Sequence, residues 1–347
     1  MRDLRALTTW LIFEARAAMG FAREREIWIA LACALLLWML AYQAPYTHRL
    51  DLGGNLQTGR RYDDEPFLGD SFNKSEPADP IPAGTTLLLR WSKQDSTLIL
   101  PGIGGGRWVV RVSASSGPRP APVVSRWDDG TTTSSLTIDA VQRDYHLAAR
   151  ANSSGDLTLH FVTPPLEAPG DPRSLGLVMT RVIVEPIAGP RLPAPRQLAL
   201  LAAALALIYL LLRRFAFAPR PALALALALA VLAALLLARE RMALTLLTPR
   251  LPVILAGCYA IGLALAALER AVIHNELASE KAETGRQGDK ETAEQPRRTT
   301  HYRLRNELEG RRPRPLTPSP PHLIIALILL AAALRLGGML HPHARFS

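Results

Sequence analysis

The sequence predicts an α+β membrane protein with five transmembrane helices and one extracytoplasmic antiparallel β-sandwich of the jelly-roll kind. Three observations carry that prediction. Apolar residues gather in five uninterrupted runs instead of recurring at the period of a half-buried helix. Between the first and second runs lies a long stretch in which apolar and polar residues alternate with period two. The charges collect between the runs, so the overall 49% apolar content and +10 net charge of the 347-residue chain hide a strong segregation.

The runs are Ile27–Gln43, Gln197–Leu212, Pro221–Ala238, Pro252–Leu268 and His322–Leu340. Each is close to the ~20 residues that cross a ~30 Å hydrocarbon core at ~1.5 Å per residue. Lipid offers the backbone no hydrogen-bond partners, so such runs must be helices. The Ala-Leu alternation of the third run is no strand signal, because both residue types are apolar.

Orientation follows from Lys and Arg near the run ends. Residues 1–26 carry Arg2, Arg5, Arg16, Arg23 and Arg25, and Arg213, Arg214 and Arg220 join the second and third runs. The segment 269–321 is also rich in both residues. If all five runs cross, these regions share the cytoplasmic side of the plasma membrane, and 44–196 and 341–347 lie outside. One loop runs against the pattern: "RERMALTLLTPR", 239–250, has three arginines yet falls outside. The first run is too long for a signal-peptide core and reads as a retained anchor. The amphipathic 1–26 segment either lies along the interface or forms a short cytosolic helix.

Eight stretches of 44–196 read as strands: "TLLLRW" from Thr85, "STLILP" from Ser96, "RWVVRVSA" from Arg107 and "APVVSRW" from Ala121, then "SSLTIDA" from Ser134, "DYHLAARA" from Asp144, "DLTLHFV" from Asp156 and "LGLVMTRVIVEPI" from Leu175. Leu157, Leu159 and Phe161 share one face, as do Val178, Thr180, Val182 and Val184. Turn signals such as "DDGT" and "NSSGD" separate them, which suits a two-sheet sandwich. Cys33 and Cys258 both fall in predicted spans, so no disulfide framework holds this domain and its own core must do so. The sequons at Asn73 and Asn152 match chance frequency and carry no weight. "LPGIGGGRW" has the glycines of a phosphate loop, but a strand rather than a helix follows it, so it reads as a wide turn. The charged, Pro-rich segment Glu276–Pro321 cannot bury enough apolar surface to fold alone and reads as a largely disordered linker. Its Arg311, Arg312 and Arg314 suit anionic headgroups. It has no aromatic platform, so no nucleic-acid partner is expected.

The acids Asp63, Asp64 and Glu65 in "RRYDDEPFLGD" are the candidate catalytic groups, though they read first as an ion-paired domain start with Arg60 and Arg61 as partners. Trp91, Trp108 and Trp127 are candidate sugar-stacking platforms if exposed, and core residues if not. Arg335 and Arg345 are candidate contacts for a lipid phosphate. His341 and His343 read as an interfacial tail. No metal site and no cofactor are expected.

Three stretches together, "HRLDLGGNLQTGRRYDDEPFLGDSFNKSEP", "RWSKQDSTLILPGIGGGRWVVRV" and "DPRSLGLVMTRVIVEP", resemble a group of large membrane proteins of Chloroflexus-like bacteria. In that group a jelly-roll domain follows the first helix, ahead of a region similar to GT-C glycosyltransferases of the protein-mannosyltransferase type. The resemblance implies a polyprenyl-phosphate sugar donor, transfer on the outer face, and a catalytic acid in the loop after the helix corresponding to the fifth run. The chain stops at Ser347, where that loop would begin. Two functions therefore stay open: a non-catalytic or truncated relative of such an enzyme, partnered by a downstream glycosyltransferase subunit, or a tethered carbohydrate-binding or structural module. The lipid bilayer is a partner in both.

Overall fold

The computed structural model describes residues 15–53, 64–77, 88–167, 170–215 and 217–264, with 12, 268 and 272 besides. The fifth predicted run, most of the 269–321 linker, and Arg60, Arg61, Asp63, Arg335, His341, His343 and Arg345 lie outside those residues.

Three helices are long and apolar enough to cross a membrane: α1 (Arg25–Gln43), α2 (Pro195–Arg214) and α3 (Pro219–Arg239). Proline opens α2 and α3 in the first turn, where a missing N–H breaks no helical bond. Arg213 and Arg214 close α2, where cations complement the helix dipole. A short helix α4 (Arg241–Leu247) meets α5 (Arg250–Ala264) at a 41° bend, and the pair counts as a fourth span if taken together. Pro249 sits in the break and has no N–H with which to continue the ladder.

An alanine seam joins α1 to α3. Ala30 and Ala34 face Ala222, Ala226 and Ala230, and all five are buried. Small residues four apart let two backbones approach closely, which is how helices pack where no hydrophobic effect drives them together. Trp38 spans the same seam and donates its indole N–H to the carbonyl of Ala230 at 3.0 Å. The opposite faces carry exposed Trp28, Leu36, Leu40, Leu232 and Leu235. At the bundle end away from the strands, Glu24 accepts from Arg213 Nε at 2.8 Å and Nη2 at 2.7 Å, and from the Tyr209 hydroxyl at 2.7 Å. Burial works against the Glu24 carboxylate, but these hydrogen bonds hold its pKa below the usual value.

Among the described residues ten strands form the β-domain: β1 (His48–Asp51), β2 (Glu76–Pro77), β3 (Leu88–Trp91), β4 (Asp95–Leu100), β5 (Gly106–Ser115), β6 (Val123–Asp128), β7 (Thr133–Ile138), β8 (Arg143–Ala151), β9 (Leu157–Val162) and β10 (Val178–Pro186). All eight predicted strands are present. β1 and β2 are additional; each is too short for alternation to reveal it. One sheet has the order β2-β3-β10-β5-β8 with β1 also on β10, and the other has the order β4-β9-β6-β7. Every pair is antiparallel.

The core lies between the sheets. Leu157, Leu159 and Phe161 point into it together with Trp108, Val110, Val112 and Leu98. In β10 the predicted face is corrected. A bulge between Met179 and Arg181 shifts the register, so Met179, Val182 and Val184 enter the core and Val178 does not. A second correction concerns the domain's independence. Met242 from α4 is fully buried in the same core cluster, and Leu246 packs against it. The sandwich is therefore closed at its base by the α3–α4 corner and is not held by its own residues alone.

Candidate functional site

The most elaborated polar site is the junction of the sandwich with the helix ends, built around Arg241. Its side chain is fully buried. Nε donates to the carbonyl of Leu237 at 3.2 Å and Nη1 to that of Ile103 at 2.8 Å. Nη2 donates to the carbonyls of Ala41 at 3.2 Å and Tyr42 at 3.3 Å. The guanidinium carbon lies 4.3 Å from the ring centre of Tyr42 and 4.9 Å from that of Tyr46. Among the described residues no carboxylate pairs with it. Its countercharge is the partial negative charge of two helix C-termini, α1 and α3.

Arg191 extends the arrangement. It donates to the carbonyls of Gln43 and Ala44, and Gln43 returns a hydrogen bond to the Arg191 carbonyl at 2.8 Å. Two arginines thus serve the carbonyls of residues 41 to 44, at the C-terminal end of α1.

The glycine-rich loop is the sandwich's half of this junction. The Tyr42 hydroxyl reaches the Gly102 carbonyl at 3.2 Å and also the side-chain oxygen of Gln197. Gly102 and Gly104 have φ of 66° and 97°. A Cβ on Gly104 would lie 2.9 Å from the Tyr42 ring, and one on Gly102 would strike the Thr245 side chain. The loop is the wide turn that the sequence predicts, and its glycines let backbone dock on helix. Beside it, Tyr46 accepts from the Met242 N–H at 3.4 Å and meets His48 Nδ1 at 3.2 Å. Burial pushes the Tyr46 hydroxyl up to about 12 and the His48 imidazole down to about 4. His48 Nε2 is buried, and among the described residues no hydrogen-bond partner reaches it.

Asp64 is fully buried and fully engaged. Arg90 grips it with Nε at 2.5 Å and Nη2 at 2.9 Å, and the Gly53 N–H adds a bond of 2.6 Å. Glu65 lies 3.9 Å from the same guanidinium. A carboxylate so enclosed has no access to an acceptor sugar, so Asp64 is corrected from catalytic candidate to structural anchor. Its partner is Arg90 of β3, where sequence proximity had suggested Arg60 and Arg61. The signal was present: Arg90 shares the inward face of β3 with Leu88, and an inward arginine needs a buried acid.

Trp108 is fully buried, with its indole N–H on the Gly104 carbonyl at 3.1 Å. Trp127 is also buried, stacked on Phe161 at 4.5 Å. Neither has a face open to a sugar, which corrects both. Trp91 is part-exposed and lies against Gly117, where any Cβ would collide with its ring. Among the described residues no group of three or more His, Cys, Asp and Glu could hold a metal ion.

No protein-family model matches the chain, and no characterised protein does either. Solved structures give slight likenesses. CBM35 from Cellvibrio japonicus is 6% identical, with 43% of this chain and 98% of that one covered and a TM-score of 0.29. The plant receptor-like kinase ANX2 is 11% identical, with 42% and 49% covered and a TM-score of 0.30. A family GH115 4-O-methyl-alpha-glucuronidase is 8% identical, with 34% of this chain but only 17% of that one covered and a TM-score of 0.25. At these scores none of them bears on what this chain binds or does.

Proposed function

We propose that this chain is a membrane-anchored surface module that holds its β-sandwich in a fixed pose over the outer face of the plasma membrane, as a non-catalytic partner in cell-envelope glycan assembly. The observation that carries the reading is the Arg241 junction. A simple tether would let the sandwich swing on residues 44–47. Instead the fully buried guanidinium ties the Ile103 carbonyl of the sandwich loop to the ends of α1 and α3. Such a joint suits a module that must present one face at a set height above lipid-linked material. The link to a GT-C-like glycosyltransferase rests on the sequence resemblance. The enclosure of Asp64 supports the non-catalytic part, because glycosyl transfer needs a base within reach of the acceptor.

Two measurements test this. Reporter fusions after Arg25 and Arg286 should read cytoplasmic, and those after Ser154 and Ser347 extracytoplasmic; a cytoplasmic signal at Ser154 would overturn the topology. The purified chain should show no turnover with polyprenyl-phosphate sugars. Turnover that disappears in a folded Asp64→Asn variant would overturn the non-catalytic reading.

A further inference from the structure

The arginines at the strand end of the helices are spoken for. Arg241 and Arg191 are spent on carbonyls, and exposed Arg239 stands beside the acid Glu240. The other end differs. Arg16 lies in the helical segment 15–22, Arg23 in the turn that follows it, Arg25 opens α1, and Arg220 is the second residue of α3. All four are exposed, and among the described residues none of them makes a side-chain hydrogen bond, ion pair or ring contact.

Packing brings these four to one place. Arg213, at the end of α2, holds Glu24 between Arg23 and Arg25, and its guanidinium carbon lies 5.0 Å from the Phe21 ring centre. The same side chain donates to the Phe217 carbonyl, three residues before Arg220. The alanine seam sets the starts of α1 and α3 side by side. With Arg213 and Arg214, six arginines crowd this end against two acids, Glu24 and Glu26. Glu24 is taken by Arg213, and Glu26 lies within electrostatic reach of the same Arg213 and Tyr209. Residues 1–14 bring two arginines and two acids, which balance. The four outer arginines are therefore left without a countercharge.

Their depth is set by α1. Its 19 residues span about 28 Å at ~1.5 Å per residue, close to a ~30 Å hydrocarbon core. A helix of that length that crosses a bilayer holds Arg25 at headgroup level. Trp28, 62% exposed, lies one turn further in and donates its indole N–H to the Ala22 carbonyl at 3.1 Å, with Ile29 exposed beside it. An exposed indole next to basic residues at the end of a span suits the boundary between water and hydrocarbon.

We infer that the rim of Arg16, Arg23, Arg25 and Arg220 is a docking surface for anionic phospholipid headgroups. A guanidinium fork matches two oxygens of a phosphodiester, and the charge the rim lacks is the charge that headgroup carries. Acyl chains below the phosphate meet Trp28 and Ile29. A soluble acidic partner would supply the charge and leave both of those side chains facing water. The inference rests on the membrane-anchored reading.

The test uses the full chain in mild detergent, titrated with phosphatidylglycerol or phosphatidylcholine, with bound lipids counted by native mass spectrometry. Phosphatidylglycerol should be retained over phosphatidylcholine, and less so as salt rises. A basic residue near an anionic surface is worth about fivefold, so Arg23→Gln, Arg25→Gln and Arg220→Gln together should lower that retention roughly tenfold or more. The thermal midpoint of the triple variant should hold, since none of the three has a partner to lose. Lysine at the same three positions should keep most of the preference, and Arg239→Gln, at the opposite end, should keep all of it. Equal retention of the two lipids, full preference in the folded triple variant, or displacement of the lipid by inorganic phosphate at equal concentration would each overturn the inference. Equal retention by a chain that needs detergent to stay in solution leaves the anchored reading standing. A chain that stays in solution without detergent defeats the anchored reading and the rim with it.

Discussion

Replacing Arg241 by methionine separates a working joint from a tolerated buried cation. Methionine fills much of the same volume and removes the charge. It leaves four carbonyls, those of Ala41, Tyr42, Ile103 and Leu237, without their donor. An unsatisfied buried polar group costs about 1–3 kcal/mol. The Ala41 carbonyl keeps the Ala44 N–H at 3.2 Å, so its loss is smaller. Two cation–π contacts also go, at about 0.5–2 kcal/mol each. Against these stands relief of the desolvation that burying a cation imposes, several kcal/mol. The balance is a destabilisation of about 3–5 kcal/mol, concentrated at the joint. Lysine keeps the charge but lacks the planar fork, so it should fall between, at about 1–3 kcal/mol. Hydrogen exchange in nanodiscs reads this locally. The amides of Gly104 and Gly105 are bonded to the carbonyls of Gly155 and Leu192, and both should lose protection in the methionine variant. A methionine variant with wild-type protection there and a wild-type thermal midpoint would refute the clamp.

Asp64→Asn should destabilise the sandwich by about 3–5 kcal/mol, because Arg90 is left buried against a neutral amide; the melting of the strand signal in circular dichroism measures it. Ala226→Leu should wedge α1 from α3 and lower the thermal midpoint, with a cost of about 1–3 kcal/mol, since Ala226 is fully buried in the seam. His48 gives a pH dependence whose sign is fixed. Its folded pKa of about 4 lies below the unfolded 6.5, so the unfolded chain binds more protons between those values. Stability should be complete above about pH 6.5 and decline as pH falls toward 4, by at most about 3 kcal/mol and less for a ring that is part-exposed. Denaturant titrations at both pH values should show the decline, and His48→Phe should flatten it.

The strands were legible because their inner faces repeat at period two: "DLTLHFV" needs no context to place Leu157, Leu159 and Phe161 inside. Three of the helices were legible because their apolar runs are long and uninterrupted. The junction was not. Arg241 stands in "RERMALTLLTPR" among three arginines, and charge counting weighs all three alike, although one is buried against carbonyls and rings. That loop ran against the orientation pattern, which was the one visible sign that an arginine there had other work. Trp91, Trp108 and Trp127 look equivalent in sequence. Only the sheet pairing separates Trp108 and Trp127, in the core, from Trp91 at the rim. The bulge at Thr180 hid the true face of β10, since a single inserted residue reverses alternation without changing composition.

Met242 in the sandwich core has a consequence for the order of assembly. A ribosome makes β1 to β10 well before it makes α3 and α4. Until the α3–α4 corner arrives, the newly made sandwich has an open base where Met242 and Leu246 will sit. Its final closure must wait for the later helices to pack, so completion of the sandwich and completion of the helix bundle become one event. A secreted copy cut after the last strand would stay in that waiting state, with Tyr46 and Ile103 facing water and a sticky underside in place of a joint.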